Sequence, residues 1–96
     1  AYKKYYPHGV SHWLGMDTHD AGLYQVNGES RKLETNMCFT IEPGLYVPLT
    51  DESAPKELRG LGVRIEDDVY VTESGHFNMT DLAPKDTGDI EKILGT

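Results

Sequence analysis

The run GVRIEDDVYVT, Gly62–Thr72, carries the strongest strand signal in the chain and decides how the rest is read. Val63, Ile65, Val69 and Val71 fall on one face of an extended segment, and Arg64, Glu66, Asp68 and Tyr70 on the other. Asp67 lands on the apolar parity, which predicts a bulge or kink near Glu66–Asp68. Three successive carboxylates in a β-rich segment are costly to bury without a cation. A solvated hairpin turn is the plain alternative.

Upstream, MCFTIE, Met37–Glu42, reads as a second strand, with Met37, Phe39 and Ile41 on one face and Cys38, Thr40 and Glu42 on the other. Pro43-Gly44 interrupts the ladder directly after Glu42, since proline lacks the amide donor. Glu42 therefore stands at a strand end, where a carboxylate is held rigidly yet faces a cleft. Leu45–Val47 resumes the strand, and Pro48–Arg59 is a polar loop. Downstream, Glu73–His76 is a turn and Phe77–Thr80 a short returning strand. In DTGDIEKILG, Asp86–Gly95, the signals are those of a short helix: Asp86 as N-cap, a stripe of Ile90, Ile93 and Leu94, and Gly95 past the end. At the other terminus Ala1–Pro7 reads as the last turn of a helix, with Lys3 and Lys4 suited to a C-terminus and Pro7 as the stop. Ala21–Asn36 is a polar excursion with Asn27-Gly28 as a turn signal, compatible with a ragged hairpin.

Between these lies HGVSHWLGMDTHD, His8–Asp20, with three of the four histidines, His8, His12 and His19, and two carboxylates, Asp17 and Asp20. Imidazole is the side chain best suited to bind a transition metal or move a proton near neutral pH. His8 and His12 have helical spacing, but a helical zinc-protease motif needs Glu after the first His, where this chain has Gly9. Gly9, Ser11 and Gly15 disfavour a helix interior, so the stretch reads as a turn, an extended piece around Ser11–Leu14, then a loop. A chance cluster of surface histidines beside a buried Trp13 is the alternative.

Ninety-six residues make one domain at most, with a modest core. A net charge of -7 disfavours nucleic acid and anionic membrane as partners, because both reward basic patches. The single Cys38 excludes an internal disulfide and fits a reducing, cytoplasmic setting. No apolar run approaches the ~18 residues of a membrane helix, and no signal-peptide pattern opens the chain. The sequence begins at Ala1, inside what reads as an element, so a piece of something longer is expected.

Among polar residues on or beside strands, His12, Glu42 and Glu66 stand out. One imidazole and two carboxylates form a harder ligand set than a structural zinc site and suit Mn, Co, Fe or Zn in a hydrolytic centre. A carboxylate bridges two ions where imidazole does not, but two ions need more anionic ligands than these. Asp17, Asp20, Asp67 and Asp68 remain open as further ligands, although short acidic residues in loops are usually turn formers.

HGVSHWLGMDTHD, FTIEPGLYVP and RGLGVRIEDDVYVT, in that order and spacing, resemble the C-terminal part of the catalytic domain of the Xaa-Pro aminopeptidases (aminopeptidase P). These belong to the pita-bread metallopeptidase family, which also holds prolidase and methionine aminopeptidase. SHWLGMD and APKELRGLG look more like aminopeptidase P than like the other two. The resemblance implies an α+β fold: the C-terminal half of a pita-bread domain over residues 1–96, a curved antiparallel sheet with one terminal helix. It implies two divalent ions, Mn²⁺ expected, with Co²⁺ or Zn²⁺ as substitutes. His12 would bind one ion, Glu42 would ligate and relay a proton, and Glu66 would bridge both. His8 would lie near the proline-binding pocket, His19 would hydrogen-bond the scissile carbonyl and its tetrahedral intermediate, and Arg64 would support the site or anchor the product carboxylate.

The implied reaction is hydrolysis of an N-terminal Xaa-Pro bond by a metal-bridging hydroxide, on a peptide with proline in second position. The implied state is a homo-oligomer. Two departures stand against the family pattern. Thr35-Asn36 replaces the usual Pro-Gly, a change that Asn tolerates because it enters the left-handed region. The family's two aspartate ligands lie in an upstream half that this sequence lacks, and nothing in Ala1–Pro7 replaces them, so the chain alone is expected to be inactive. The alternatives are a non-catalytic pita-bread binding module, a prolidase, or a mononuclear iron oxygenase with two histidines and a carboxylate.

Overall fold

The structure, a computed structural model, describes residues 2–95. In chain order its strands are β1 (Gln25–Val26), β2 (Glu29–Ser30), β3 (Cys38–Ile41), β4 (Gly44–Tyr46), β5 (Gly62–Arg64), β6 (Asp67–Val71) and β7 (His76–Asn78), followed by helix α1 (Thr87–Leu94). All strand pairs are antiparallel: β1 with β2, β3 with β6, β6 with β7, and β4 with β5.

The kink expected in Gly62–Thr72 is present, and it splits that run into β5 and β6 at Ile65–Glu66. The Met37–Val47 run splits opposite it, between β3 and β4, at Glu42-Pro43. Pairing is Ile41↔Asp67 on one side of the break and Gly44↔Arg64 on the other. The same register therefore continues through it, bridged by the Ile65 N–H donating to Pro43 O at 3.2 Å. Two long arms thus run side by side with one flexure, and Glu42 and Glu66 occupy it opposite one another. The tip between the arms, residues 48–61, holds a 3-10 turn at Lys56–Leu58. Arg59 closes the tip upon itself, its guanidinium donating to the Ala54 and Glu52 carbonyls at 2.9 and 2.8 Å.

On the far edge of β3 the segment around His12 adds a further extended line. Thr40 N–H donates to His12 O at 3.0 Å, Glu42 N–H to Val10 O at 2.7 Å and Leu14 N–H to Cys38 O at 3.1 Å, with Trp13 opposite Phe39. The Asn27-Gly28 signal makes the β1–β2 hairpin, both residues at positive φ (53° and 80°), as a two-residue turn of matching twist requires. Asn36 adopts φ 71°, the left-handed conformation its side chain tolerates. At the N-terminus the expected helical turn is a short 3-10 turn, Tyr2–Lys4, and Ala1 lies outside the described residues. Helix α1 has the expected caps: Asp86 accepts from Gly88 N–H, and Gly95 is left-handed at φ 74°.

Burial departs from what the periodicity suggests. Among the described residues the buried ones are the apolar Ala54 and Val69, the polar Thr40 and Glu42, and Gly44. Leu45, Val63, Ile65 and the α1 stripe stay open to solvent. Accessible surface is 7794 Å², against about 5,500 Å² for a folded monomer of this mass. The radius of gyration is 16.8 Å, against about 12.5 Å for a packed domain of this length. The sheets are laid out with one face uncovered. No described helix is long and apolar enough to cross a membrane.

Asp67, the residue off parity, turns to a local lock. It accepts from the Thr80 hydroxyl at 2.7 Å and lies 3.1 Å from Lys85 Nζ. The Thr80 hydrogen bond, with help from Lys85 and Asn78, holds the Asp67 carboxyl below its ordinary pKa. A carboxyl lowered by folding stabilises the fold above its unfolded pKa, and that contribution disappears as pH falls through the folded value. In the full-length protein, the melting-temperature gap between wild type and Thr80→Val is therefore expected to be full above about pH 5 and to shrink towards about pH 3. A pH series of thermal melts checks this; a constant gap across the series contradicts it.

Candidate metal centre

Glu42 and Glu66 reach the same place because each stands one residue beyond the last β3–β6 pair, Ile41↔Asp67, on the same parity. His12 arrives from the neighbouring line, held opposite Thr40. One donor atom from each of His12, Glu42 and Glu66 lies within 4.8 Å of the other two. His12 Nε2 is 2.9 Å from Glu42 Oε1, and both side chains are largely covered, at 14% and 12% exposure.

The tautomer of His12 follows from its surroundings. Nδ1 faces the Trp13 carbonyl at 2.9 Å. A carbonyl only accepts, so Nδ1 carries a proton, and whenever the ring is neutral Nε2 presents a lone pair. Nε2 faces a carboxylate oxygen, a contact that is favourable with a positive charge between the two, whether a proton or a metal ion. An imidazole fixed through Nδ1–H to a carbonyl is the usual arrangement of a metal-ligating histidine. The donor set of one nitrogen and two carboxylates therefore fits a divalent transition ion.

Arg64 stands over both carboxylates, its Nε 3.7 Å from Glu42 Oε2 and 3.8 Å from Glu66 Oε2. The Tyr46 hydroxyl first, then Glu42 and Glu66, push its already high pKa further up. His8 donates from Nδ1 to Gly9 O at 2.7 Å, which leaves Nε2 to accept from the Tyr46 hydroxyl at 3.0 Å. Tyr46 in turn accepts from Arg64 Nη1 at 3.5 Å. His19 lies exposed beside His12, ring centroids 4.4 Å apart and edge-on at 71°. His8, His12, His19, Glu42 and Arg64 share one open cavity of about 330 Å³.

Among the described residues the candidate ion-holding group is His12, Glu42 and Glu66. Asp20 instead accepts from Ala21 N–H at 3.0 Å, Asp67 is locked to Thr80, and Asp17 is exposed. Two residues at the site carried no sequence-level role. Tyr46 links His8 to Arg64; its signal was a tyrosine flanked by small residues on its own and the paired strand. A Cβ on Gly44 would lie 2.6 Å from the Tyr46 hydroxyl, and one on Gly62 2.9 Å from its Cδ1. Thr40, directly below Glu42 on the same face, is the other.

Comparison with known proteins gives the same direction. The Xaa-Pro aminopeptidase of Escherichia coli (strain K12) is 45% identical over 94 residues, which span 98% of this chain and 21% of that protein. Among solved structures, Pseudomonas aeruginosa aminopeptidase PepP superposes with a TM-score of 0.92 at 48% identity, covering 98% of this chain and 21% of that one. Aminopeptidase P from E. coli with the inhibitor Pro-Leu gives a TM-score of 0.89 at 44% identity, with the same coverage. The chain thus spans about a fifth of the length of these relatives. The α+β pita-bread fold expected from the sequence is the observed one, with antiparallel sheets and a terminal helix. The family model described as Metallopeptidase family M24 matches residues 1–73, and on that match the chain belongs to this family.

Proposed function

We propose that this chain is the C-terminal half of the catalytic domain of a Xaa-Pro aminopeptidase, its upstream half supplying two aspartate ligands. The observation that carries the reading is the meeting of His12, Glu42 and Glu66 donor atoms within 4.8 Å, beside a cavity that also holds His8, His19 and Arg64. Relatives named Xaa-Pro aminopeptidase support proline in the second position of the substrate.

His12 would hold an ion through Nε2, Glu42 through its carboxylate, and Glu66 would be shared by two ions. Mn²⁺ is the proposed metal, with Co²⁺ or Zn²⁺ as substitutes. Bound there, two such ions would supply a water of lowered pKa and would polarise the scissile carbonyl. Glu42 takes the proton of the attacking water and delivers it to the departing proline nitrogen. His19, open to the cavity, donates to the carbonyl oxygen as negative charge grows there. Arg64 keeps the two carboxylates apart in aim and together in place, and its remaining donors suit a product carboxylate. His8, locked to Tyr46, walls the proline side. The proposed setting is the cytoplasm, in keeping with the free thiol of Cys38, and the proposed state is a homo-oligomer.

The test is the full-length protein, stripped of metal and resupplied with Mn²⁺, on a tripeptide with proline second. Release of the first residue only with metal, and no cleavage when alanine replaces proline, is the expected result. Cleavage of a Xaa-Pro dipeptide but no longer peptide would make it a prolidase. Metal-independent cleavage, or none, overturns the reading.

A further inference from the structure

The strongest unassigned feature of the site is Thr40, the one side chain among the described residues that is both sizeable and wholly buried, at 0% exposure. Threonine on a strand usually needs no more explanation than its β-branched shape. Its hydroxyl, however, sits between two candidate ligands. The His12 N–H donates to Thr40 Oγ1 at 3.1 Å. The Thr40 hydroxyl donates to Glu42 Oε1 at 3.2 Å. One rung between His12 and Thr40 is thus backbone to backbone, and the other runs to the hydroxyl.

We propose that Thr40 is a positioning residue for the candidate metal centre, its hydroxyl tying the His12 backbone to the Glu42 carboxylate so that both keep a fixed aim. The inference rests on the reading of His12 and Glu42 as ion ligands. A hydroxyl has one proton. Because Oγ1 receives the His12 N–H, that proton is directed to Glu42. It lands on Oε1, the oxygen 2.9 Å from His12 Nε2. Oε2 is left to Arg64 at 3.7 Å. The two oxygens of Glu42 are thereby assigned different partners, which fixes the carboxylate rotamer. The same oxygen sets the height of His12 on its strand, so the separation of the two donor atoms is governed through one buried atom. Neither tie depends on a loop, since Thr40 is inside β3 and paired with Asp68 in β6.

The test uses three variants of the full-length protein, each prepared metal-free and titrated with Mn²⁺ alone by calorimetry. Thr40→Val keeps the shape and removes the hydroxyl; Thr40→Ser keeps the hydroxyl. Thr40→Val is expected to weaken Mn²⁺ binding by about 10–100-fold, the usual effect of losing a group that orients a ligand. Its metal-free melting temperature is expected to fall, since the His12 N–H loses its buried acceptor, and Thr40→Ser is expected to bind Mn²⁺ like wild type. A purely structural role predicts the lower melting temperature with unchanged Mn²⁺ affinity. That result overturns the proposal, as does a Thr40→Ser protein as weak as Thr40→Val. Glu42→Gln separates the two levels of the argument. If it loses Mn²⁺ while Thr40→Val does not, only the role of Thr40 fails. If Glu42→Gln also binds as wild type, the ligand reading fails with it.

Discussion

The 96-residue chain by itself is expected to cleave no Xaa-Pro peptide, and to become active when mixed with a separately made upstream half of the domain and Mn²⁺. Two physical deficits point the same way. His12, Glu42 and Glu66 bring two negative charges, too few for two divalent ions, and leave several coordination positions to water. Affinity depends on the full ligand set and the groups that orient it, so ions held by this half-set exchange freely. The second deficit is packing. With Ala54 and Val69 the only buried apolar side chains among the described residues, and surface well above that of a folded monomer of its mass, the chain has little core of its own.

Tyr6, Pro43, Leu45, Val63 and Ile65 line an apolar hollow of about 300 Å³. An open apolar sheet face of this kind invites association. Alone, the chain is therefore expected to self-associate, as seen by light scattering, and the upstream half is expected to suppress this as it restores activity. A monodisperse monomer that holds two ions tightly, or full activity from the chain alone, contradicts the reading.

His19→Ala in the full-length enzyme is expected to lower kcat by about 100-fold or more while the metal content stays that of wild type. The role assigned to His19 is donation to the carbonyl oxygen, and that contact strengthens only as charge develops in the transition state. Its place in the structure supports that division of labour. It packs edge-on against His12 and is exposed to the cavity, outside the three-residue ligand group. The ring contact with His12 is worth about 1 kcal/mol, too little to release an ion. Elemental analysis of the purified variant, beside steady-state kinetics, decides the matter: loss of the ions with the side chain makes His19 a ligand.

Much of the backbone was legible from local chemistry. The Asp86 and Gly95 caps of α1 need only their own turn, and the flexure at Ile65–Glu66 announced itself through the off-parity Asp67. What periodicity cannot supply is which face is covered. It grouped Val63 with Val69, yet one is 63% exposed and the other 3%, because cover comes from segments distant in sequence. It also grouped Thr40 with Glu42 without showing that this polar face is the buried one.

The candidate centre was legible in another manner. Residue chemistry alone marked His12, Glu42 and Glu66 as interesting and left four aspartates open; resemblance to the Xaa-Pro aminopeptidases supplied their roles. Tyr46 and Thr40 were not legible because each acts through a neighbour. A hydroxyl that joins two other residues has no spacing of its own to betray it.

The register that runs unbroken through the flexure separates what this protein can vary from what it cannot. Loss or gain of a single residue in either arm between Cys38 and Tyr46, or between Gly62 and Val71, turns one of the two opposed glutamates to the far side of the sheet. The tip, residues 48–61, is exempt. It is closed by Arg59 on its own carbonyls, and its length does not enter the pairing of the arms. Lengthening such a closure by a factor of two costs about 0.6 kcal/mol. The tip is therefore the place where a foreign peptide, a reporter or a lineage-specific insertion is accommodated with the glutamates undisturbed, while the arms admit substitution but not indels.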